Sequence, residues 1–307
     1  MHEFNDEVED LADEILAYAL ERLKKDPPLD GPKSPEELLA EAGNTITPSG
    51  LGGQKTLQLF REVLAKACIS TDHPRYLAFI PSAPSEYSSL FDLVVGATAV
   101  YGGSWLEGAG AVFAENQALR WIADLAGLPK SAGGVFAQGG TIGNLSALVV
   151  AREFERIANK NVVEWVITCN RNAHSSIKAA AMVMDALVLQ VEPGEDGVMR
   201  GEDLDRAIGE YEMAHPTHKV FAVVATAGST NLGIVDDLDG CGRVAQRRDI
   251  WFHVDGAYGL AGLCAPSVRP LFNGIERADS LIVDPHKWLF APFDACALIY
   301  QIGRAHV

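Results

Sequence analysis

The sequence is short of the features that mark secreted, membrane-embedded or nucleic-acid-binding chains. Its apolar stretches, such as residues 220–225, fall far short of the roughly 20 residues that a membrane helix needs. The segment from Met1 to Asp13 is acidic and has neither a positively charged start nor an apolar block, which argues against a secretory signal. Cysteine is scarce: Cys68, Cys169, Cys241, Cys264 and Cys296 are scattered, odd in number and without a CxxC pair. That pattern disfavours a disulfide framework or a zinc site and fits a reducing cytoplasm. Basic residues are outnumbered, 25 Lys and Arg against 41 Asp and Glu, and the net charge of −16 opposes binding to nucleic acid or an acidic membrane. No internal repeat or low-complexity tract is present.

What remains is an ordinary soluble composition, 48% hydrophobic and 21% charged, over 307 residues, enough for a substantial core in one or two domains. The first seventy residues read as helical and peripheral. Val8, Leu11, Ile15, Leu16, Ala19 and Leu23 recur at helical spacing over residues 4–25, before Pro27, Pro28, Gly31 and Pro32 break the pattern. Ser34-Pro35 is a helix start with serine as cap and proline at the first helical position, and a further helix is expected over 56–67. From Gly133 the character changes. Short apolar, β-branched runs at 135–138, 163–168, 187–191, 220–225, 251–254, 281–283 and 297–300 alternate with helix-length stretches at 144–158, 175–184, 201–214 and 238–247. This alternation predicts an α/β fold with a mostly parallel, buried seven-stranded sheet, in which ligands gather at the carboxyl ends of the strands.

Several polar segments follow those runs. Asp284-Pro285-His286-Lys287-Trp288 places a lysine beside His and Trp just after an apolar strand, and a desolvated lysine amine becomes available to form a Schiff base. His253-Val254-Asp255-Gly256-Ala257-Tyr258 offers a carboxylate able to keep the nitrogen of a pyridine-type ring protonated, with small residues beside it that admit a flat ring. Residues 137–144, Ala-Gln-Gly-Gly-Thr-Ile-Gly-Asn, form a glycine-rich turn into a helix whose amides, with the Thr141 hydroxyl, can cradle a phosphate. The turn is neither a P-loop nor a GxGxxG dinucleotide motif, which disfavours a nucleotide-binding protein. His174 precedes a helix and can stack on a ring or donate to a carboxylate. The hydroxyls of 225–230 end another run, with Asp236 and Asp237 close behind. Each segment has a plainer reading: a solvated lysine, a capping aspartate or histidine, a packing turn, hydroxyls that satisfy a loop. Their joint order, each at a strand end on one edge of one sheet, favours a single site.

Taken together, these segments resemble the group II pyridoxal-phosphate (PLP)-dependent amino-acid decarboxylases of the aspartate-aminotransferase-like fold, fold type I. The likeness runs from about Asp72 to Tyr300 and includes His73-Pro74-Arg75-Tyr76, Gly102-Gly103-Ser104-Trp105, Ala173-His174-Ser175-Ser176, His253-Val254-Asp255 and Asp284-Pro285-His286-Lys287-Trp288. The resemblance implies decarboxylation of an L-amino acid to the amine and CO2, with Lys287 joined to the cofactor and Asp255 on its pyridine nitrogen. It places His174 and Ala257 on the two ring faces, Gly140, Thr141 and His286 at the phosphate, and Ser229 near the cofactor where the family has threonine. Ile80, Pro81, Tyr101, Gly103 and Phe293 would form the substrate pocket. Its wall is smaller at Ile80 and Gly103 than in aromatic-amino-acid decarboxylases, which leaves acidic or diamino substrates open. The resemblance also implies a cytoplasmic homodimer with no metal, the helical N-terminal segment (1–75) packing across the partner and a PLP-binding domain at 76–301. Residues 302–307 read as a non-native tail and the family's C-terminal domain as absent. Another fold type I reaction, carbon–carbon cleavage or transamination, or PLP binding without turnover, is the alternative.

Overall fold

A computed structural model describes residues 3–77, 80, 82–159 and 161–301. Pro81 and the expected tail at 302–307 lie outside the described residues. The chain divides into two compact units, Met1–Phe79 and Ile80–Val307.

The first unit is helical. Helix α1 (Asp6–Lys24) is capped by Asn5, whose side chain accepts from the Val8 amide at 3.1 Å. Acidic residues fill its first turn and Arg22 and Lys24 its last, matching the helix dipole. Helix α2 (Pro35–Ala42) starts with a reciprocal cap: Ser34 Oγ accepts from the Glu37 amide, and the Glu37 carboxylate accepts from the Ser34 amide. Helix α3 (Gly53–Leu59) continues as a π turn over Phe60–Leu64 and a 3-10 turn over Ala65–Ala67, so the helix expected at 56–67 forms with changing pitch.

The second unit carries a seven-stranded sheet in the order β1-β7-β6-β5-β4-β2-β3. The strands are β1 (Gly133–Ala137), β2 (Glu164–Asn170), β3 (Leu187–Val191), β4 (His218–Thr226), β5 (Trp251–Asp255), β6 (Ser280–Val283) and β7 (Cys296–Tyr300). They match the apolar runs, with ends shifted by no more than two residues. Only β7 runs against its neighbours, β1 and β6. Helices α4 (Glu86–Thr98) and α5 (Trp105–Leu125) precede the sheet, and α6 (Gly139–Ala158), α7 (Ser175–Val183), α8 (Gly201–Ala214) and α9 (Leu238–Arg248) connect its strands.

The sheet is covered on both faces, which is why its central strands are apolar without alternation. On one face Leu119, Leu204, Ile208 and Val244 from α5, α8 and α9 pack on Val223, Val254 and Leu281. On the other, Leu148 of α6 and Ile177 of α7 pack on Ile167, Phe221, Val224 and Trp251. Leu148 has no exposed surface. Leu148→Ala therefore lowers stability by about 2–5 kcal/mol in urea unfolding. Asp72→Ala, which breaks the surface Arg22–Asp72 pair (2.8 Å), lowers it by less than about 1 kcal/mol.

Candidate active site

Five loops leave the carboxyl ends of parallel strands and meet around a cavity of about 340 Å³. After β1, Gln138 leads into α6 without a side-chain cap, so the first amides of that helix stay open toward the cavity. Gly139 sits at φ +75°, and a Cβ on Gly140 would stand 3.0 Å from Asp284 Oδ2 and 3.3 Å from the Ala257 Cβ. Only glycine leaves that approach clear. After β2, His174 caps α7: its Nδ1 accepts from the Ser176 amide at 3.2 Å and lies 2.9 Å from Ser176 Oγ. After β4 come Thr226, Gly228 and Thr230, after β5 Asp255, Ala257 and Tyr258, and after β6 Asp284, His286 and Lys287.

The lysine amine in the cavity is paired. Lys287 Nζ lies 2.9 Å from Asp284 Oδ2, and Asp284 is almost wholly buried. The Trp288 ring stacks on Tyr258 at 5.1 Å, which ties the β6 loop to the β5 loop. His286 is buried, held through Nδ1 by the Ala295 backbone and met edge-on by Phe293. Asp255 accepts from the Ala257 amide on Oδ1 (3.2 Å) and from Asn144 Nδ2 on Oδ2 (2.9 Å). Asp236 organises the β4 loop from behind, accepting from the Thr226 and Met199 amides and from Asn170, while burial pushes its carboxyl up to about 6. Burial likewise raises the thiols of Cys169 (to about 12), Cys241 and Cys296, so these three supply no thiolate at neutral pH.

Of the residues singled out in the sequence, Lys287, His286, Asp255, Ala257, His174, Gly140, Thr141, Ile80 and Phe293 line this one cavity. Ser229 does not reach it. Its hydroxyl accepts from the Ile234 amide within its own turn, and Thr226 and Thr230 present the hydroxyls of that loop instead. Tyr101 and Gly103 are exposed outside the cavity, the Tyr101 ring occupying the space that a Gly103 side chain would need. Asn144, Tyr258, Asp284 and Asp294 also line the cavity and escaped sequence reasoning as site residues, whereas Thr226 and Thr230 belong to the hydroxyl-bearing 225–230 segment already singled out. For Asn144, Tyr258 and Asp284 a signal was available, since each falls inside a motif already picked out.

Residues 35–304 match the model of the pyridoxal-dependent decarboxylase conserved domain. The chain belongs to that family. The chain is 32% identical over 259 residues to an aromatic-L-amino-acid decarboxylase of Bacillus atrophaeus, covering 83% of this chain and 53% of that protein. It is 31% identical to the human cysteine sulfinic acid decarboxylase, covering 88% and 55% respectively. The crystal structure of mouse CSAD superposes with a TM-score of 0.86 at 28% identity, over 98% of this chain and 65% of that one. The chain thus spans about half the length of the curated relatives it matches.

Burial holds the His253 imidazole below its ordinary range. The unfolded chain therefore takes up this proton more readily than the folded one, and acidification below about pH 6.5 favours unfolding. The stability advantage of wild type over His253→Gln shrinks from pH 7 to pH 5 in urea unfolding. A constant difference across that range contradicts the assignment.

Proposed function

We infer that this chain is the cofactor-binding part of a decarboxylase that uses pyridoxal 5′-phosphate to release CO2 from an L-amino acid. The observation that carries this reading is the convergence of a lysine amine, an aspartate carboxylate and an uncapped glycine-rich helix start on one cavity. The residues fit the cofactor. A Cβ at Gly140 would crowd Asp284 and Ala257, and the Thr226 hydroxyl lines the cavity buried and without a partner. When bound, the cofactor supplies an electron sink for the pair left on Cα as the carboxylate departs.

The amides opening α6 and the Thr141 hydroxyl bind the phosphate, where the helix dipole favours an anion. Asp255, oriented by Ala257 and Asn144, keeps the proton on the pyridine nitrogen. His174 and Ala257 would border the cofactor ring, and the Lys287 amine would be the group that holds it. Asp284, 2.9 Å from Lys287 Nζ, would orient that amine in the cavity. Ile80 and Phe293 border the substrate.

A second copy of the chain completes the enzyme. Helix α4 has no buried residue although it carries Leu90, Phe91, Leu93, Val94 and Val95, and the exposed Tyr101 and Gly103 follow directly after it. An apolar helix left in water is a surface for another subunit, and pairing there gives Tyr101 and Gly103 a partner's cavity to line. The five free cysteines support a cytoplasmic location, and no described helix is long and apolar enough to cross a membrane.

Incubation with pyridoxal phosphate, borohydride reduction and peptide mapping test the reading. A single modified peptide containing Lys287, lost in Lys287→Ala, is expected, together with CO2 release from an L-amino acid by wild type alone. Label spread over surface lysines, or a keto acid or aldehyde as product, contradicts it.

A further inference from the structure

Behind the cavity a chain of hydrogen bonds runs through the core from Trp251 to His174. Trp251 Nε1 is 2.9 Å from Ser280 Oγ, Ser280 Oγ 2.8 Å from His253 Nδ1, and His253 Nε2 2.9 Å from Asn144 Oδ1. Asn144 Nδ2 then reaches both Asp255 Oδ2 and Ser176 Oγ, each at 2.9 Å, and Ser176 Oγ meets His174 Nδ1. Trp251, Ser280, His253, Asn144 and Ser176 are all buried. Asn144, Asp255 and His174 line the cavity, whereas Trp251, Ser280, His253 and Ser176 do not.

The direction of every bond is fixed from the two ends. An indole N–H only donates, and a carboxylate only accepts. Asp255 therefore turns the Asn144 amide so that Nδ2 faces it and Oδ1 faces His253, which must carry its proton on Nε2. Burial disfavours a second proton on that ring, leaving Nδ1 bare. The Ser280 hydroxyl then donates to Nδ1 and accepts from Trp251. In the other branch, Ser176 accepts from Asn144 and turns its own proton to His174 Nδ1, which already accepts the Ser176 amide, so the proton of His174 stands on Nε2.

We propose that Asn144 is a positioning residue, held in one orientation by the Trp251–Ser280–His253 relay, that sets the Asp255 carboxylate and the His174 ring together. Both groups hang on one amide, so their spacing across the cavity is defined by a single side chain whose oxygen and two N–H groups are all engaged. The consequence for the cofactor rests on the decarboxylase reading above. The polarity of the relay does not.

The experiment is long-range proton–nitrogen NMR of the cofactor-free full chain carrying labelled histidine, with His174 and His253 identified by their Gln variants. His253 is expected as the neutral Nε2–H tautomer at pH 7, and His174 with no proton on Nδ1. A proton on Nδ1 of His253, or a charged ring, overturns the relay. Asn144→Leu should cost His253 its single tautomer and weaken pyridoxal phosphate binding, followed by visible absorption, by about tenfold or more, the scale of a lost hydrogen bond to a charged group. Unchanged affinity in that variant overturns the positioning role. If Asn144→Leu does not fold, Ser280→Ala tests the relay from its far end: His253 Nδ1 loses its hydrogen-bond donor, so its nitrogen resonance should shift while the proton stays on Nε2 and affinity stays within about threefold, since Asp255 still holds Asn144. An unchanged His253 spectrum in Ser280→Ala overturns the relay. Wild type that binds no pyridoxal phosphate removes the decarboxylase reading while the tautomers still decide the relay.

Discussion

A parallel sheet buried on both faces leaves its carboxyl edge as the place where polar side chains can gather without disturbing the core. In this chain β1, β2, β4, β5 and β6 all end on that edge, and each delivers one element of the site within a few residues of its last ladder bond. The helices on either face fix the strands, the strands fix the loops, and the cavity follows. β7, the antiparallel exception, fills the gap between β1 and β6, so the glycine-rich turn stands close to the lysine loop.

The cavity is lined by acids as well as by its lysine: Asp255, Asp284 and Asp294 share it with Lys287. Such a site is tolerable only where each buried charge has a fixed partner. Asp284 has Lys287, Asp255 has two N–H donors, and behind them Asp236 has three. The polar groups that hold the site are therefore sunk into the same core that stabilises the sheet. Ser280 and His253 are both fully buried between apolar layers and yet belong to the network that reaches the cavity. Stability and site geometry are thus coupled through shared residues.

The sheet was legible in the sequence because buried parallel strands read as short, unbroken apolar runs, and all seven were found within two residues of their ends. The loops that follow them were legible because Lys287, Asp255 and His174 are residue types that rarely follow such runs without a reason. Helices α4 and α5 were not. Apolar residues cover most of the circumference of α4, from Leu90 to Val95, so no stripe of helical period stands out. The bend at Gly108 (φ −128°, ψ 35°) interrupts the pattern of α5. Ser229 shows a second limit. Its residue type suits a ligand, but a hydroxyl in a tight turn is captured first by the nearest amide, here that of Ile234. Asn144 closes the glycine-rich segment, but its role was not legible there, since its partners Asp255 and His253 lie more than a hundred residues away.

The proposed function requires Lys287 and Asp255 to grip opposite ends of one cofactor, and a crystal structure of the chain grown with pyridoxal phosphate tests that most directly. It predicts continuous density between Lys287 Nζ and the cofactor, the ring nitrogen within hydrogen-bond distance of Asp255, and the phosphate on the first turn of α6. Pyridoxal phosphate joined to another lysine, or bound with its ring nitrogen turned away from Asp255, would contradict it.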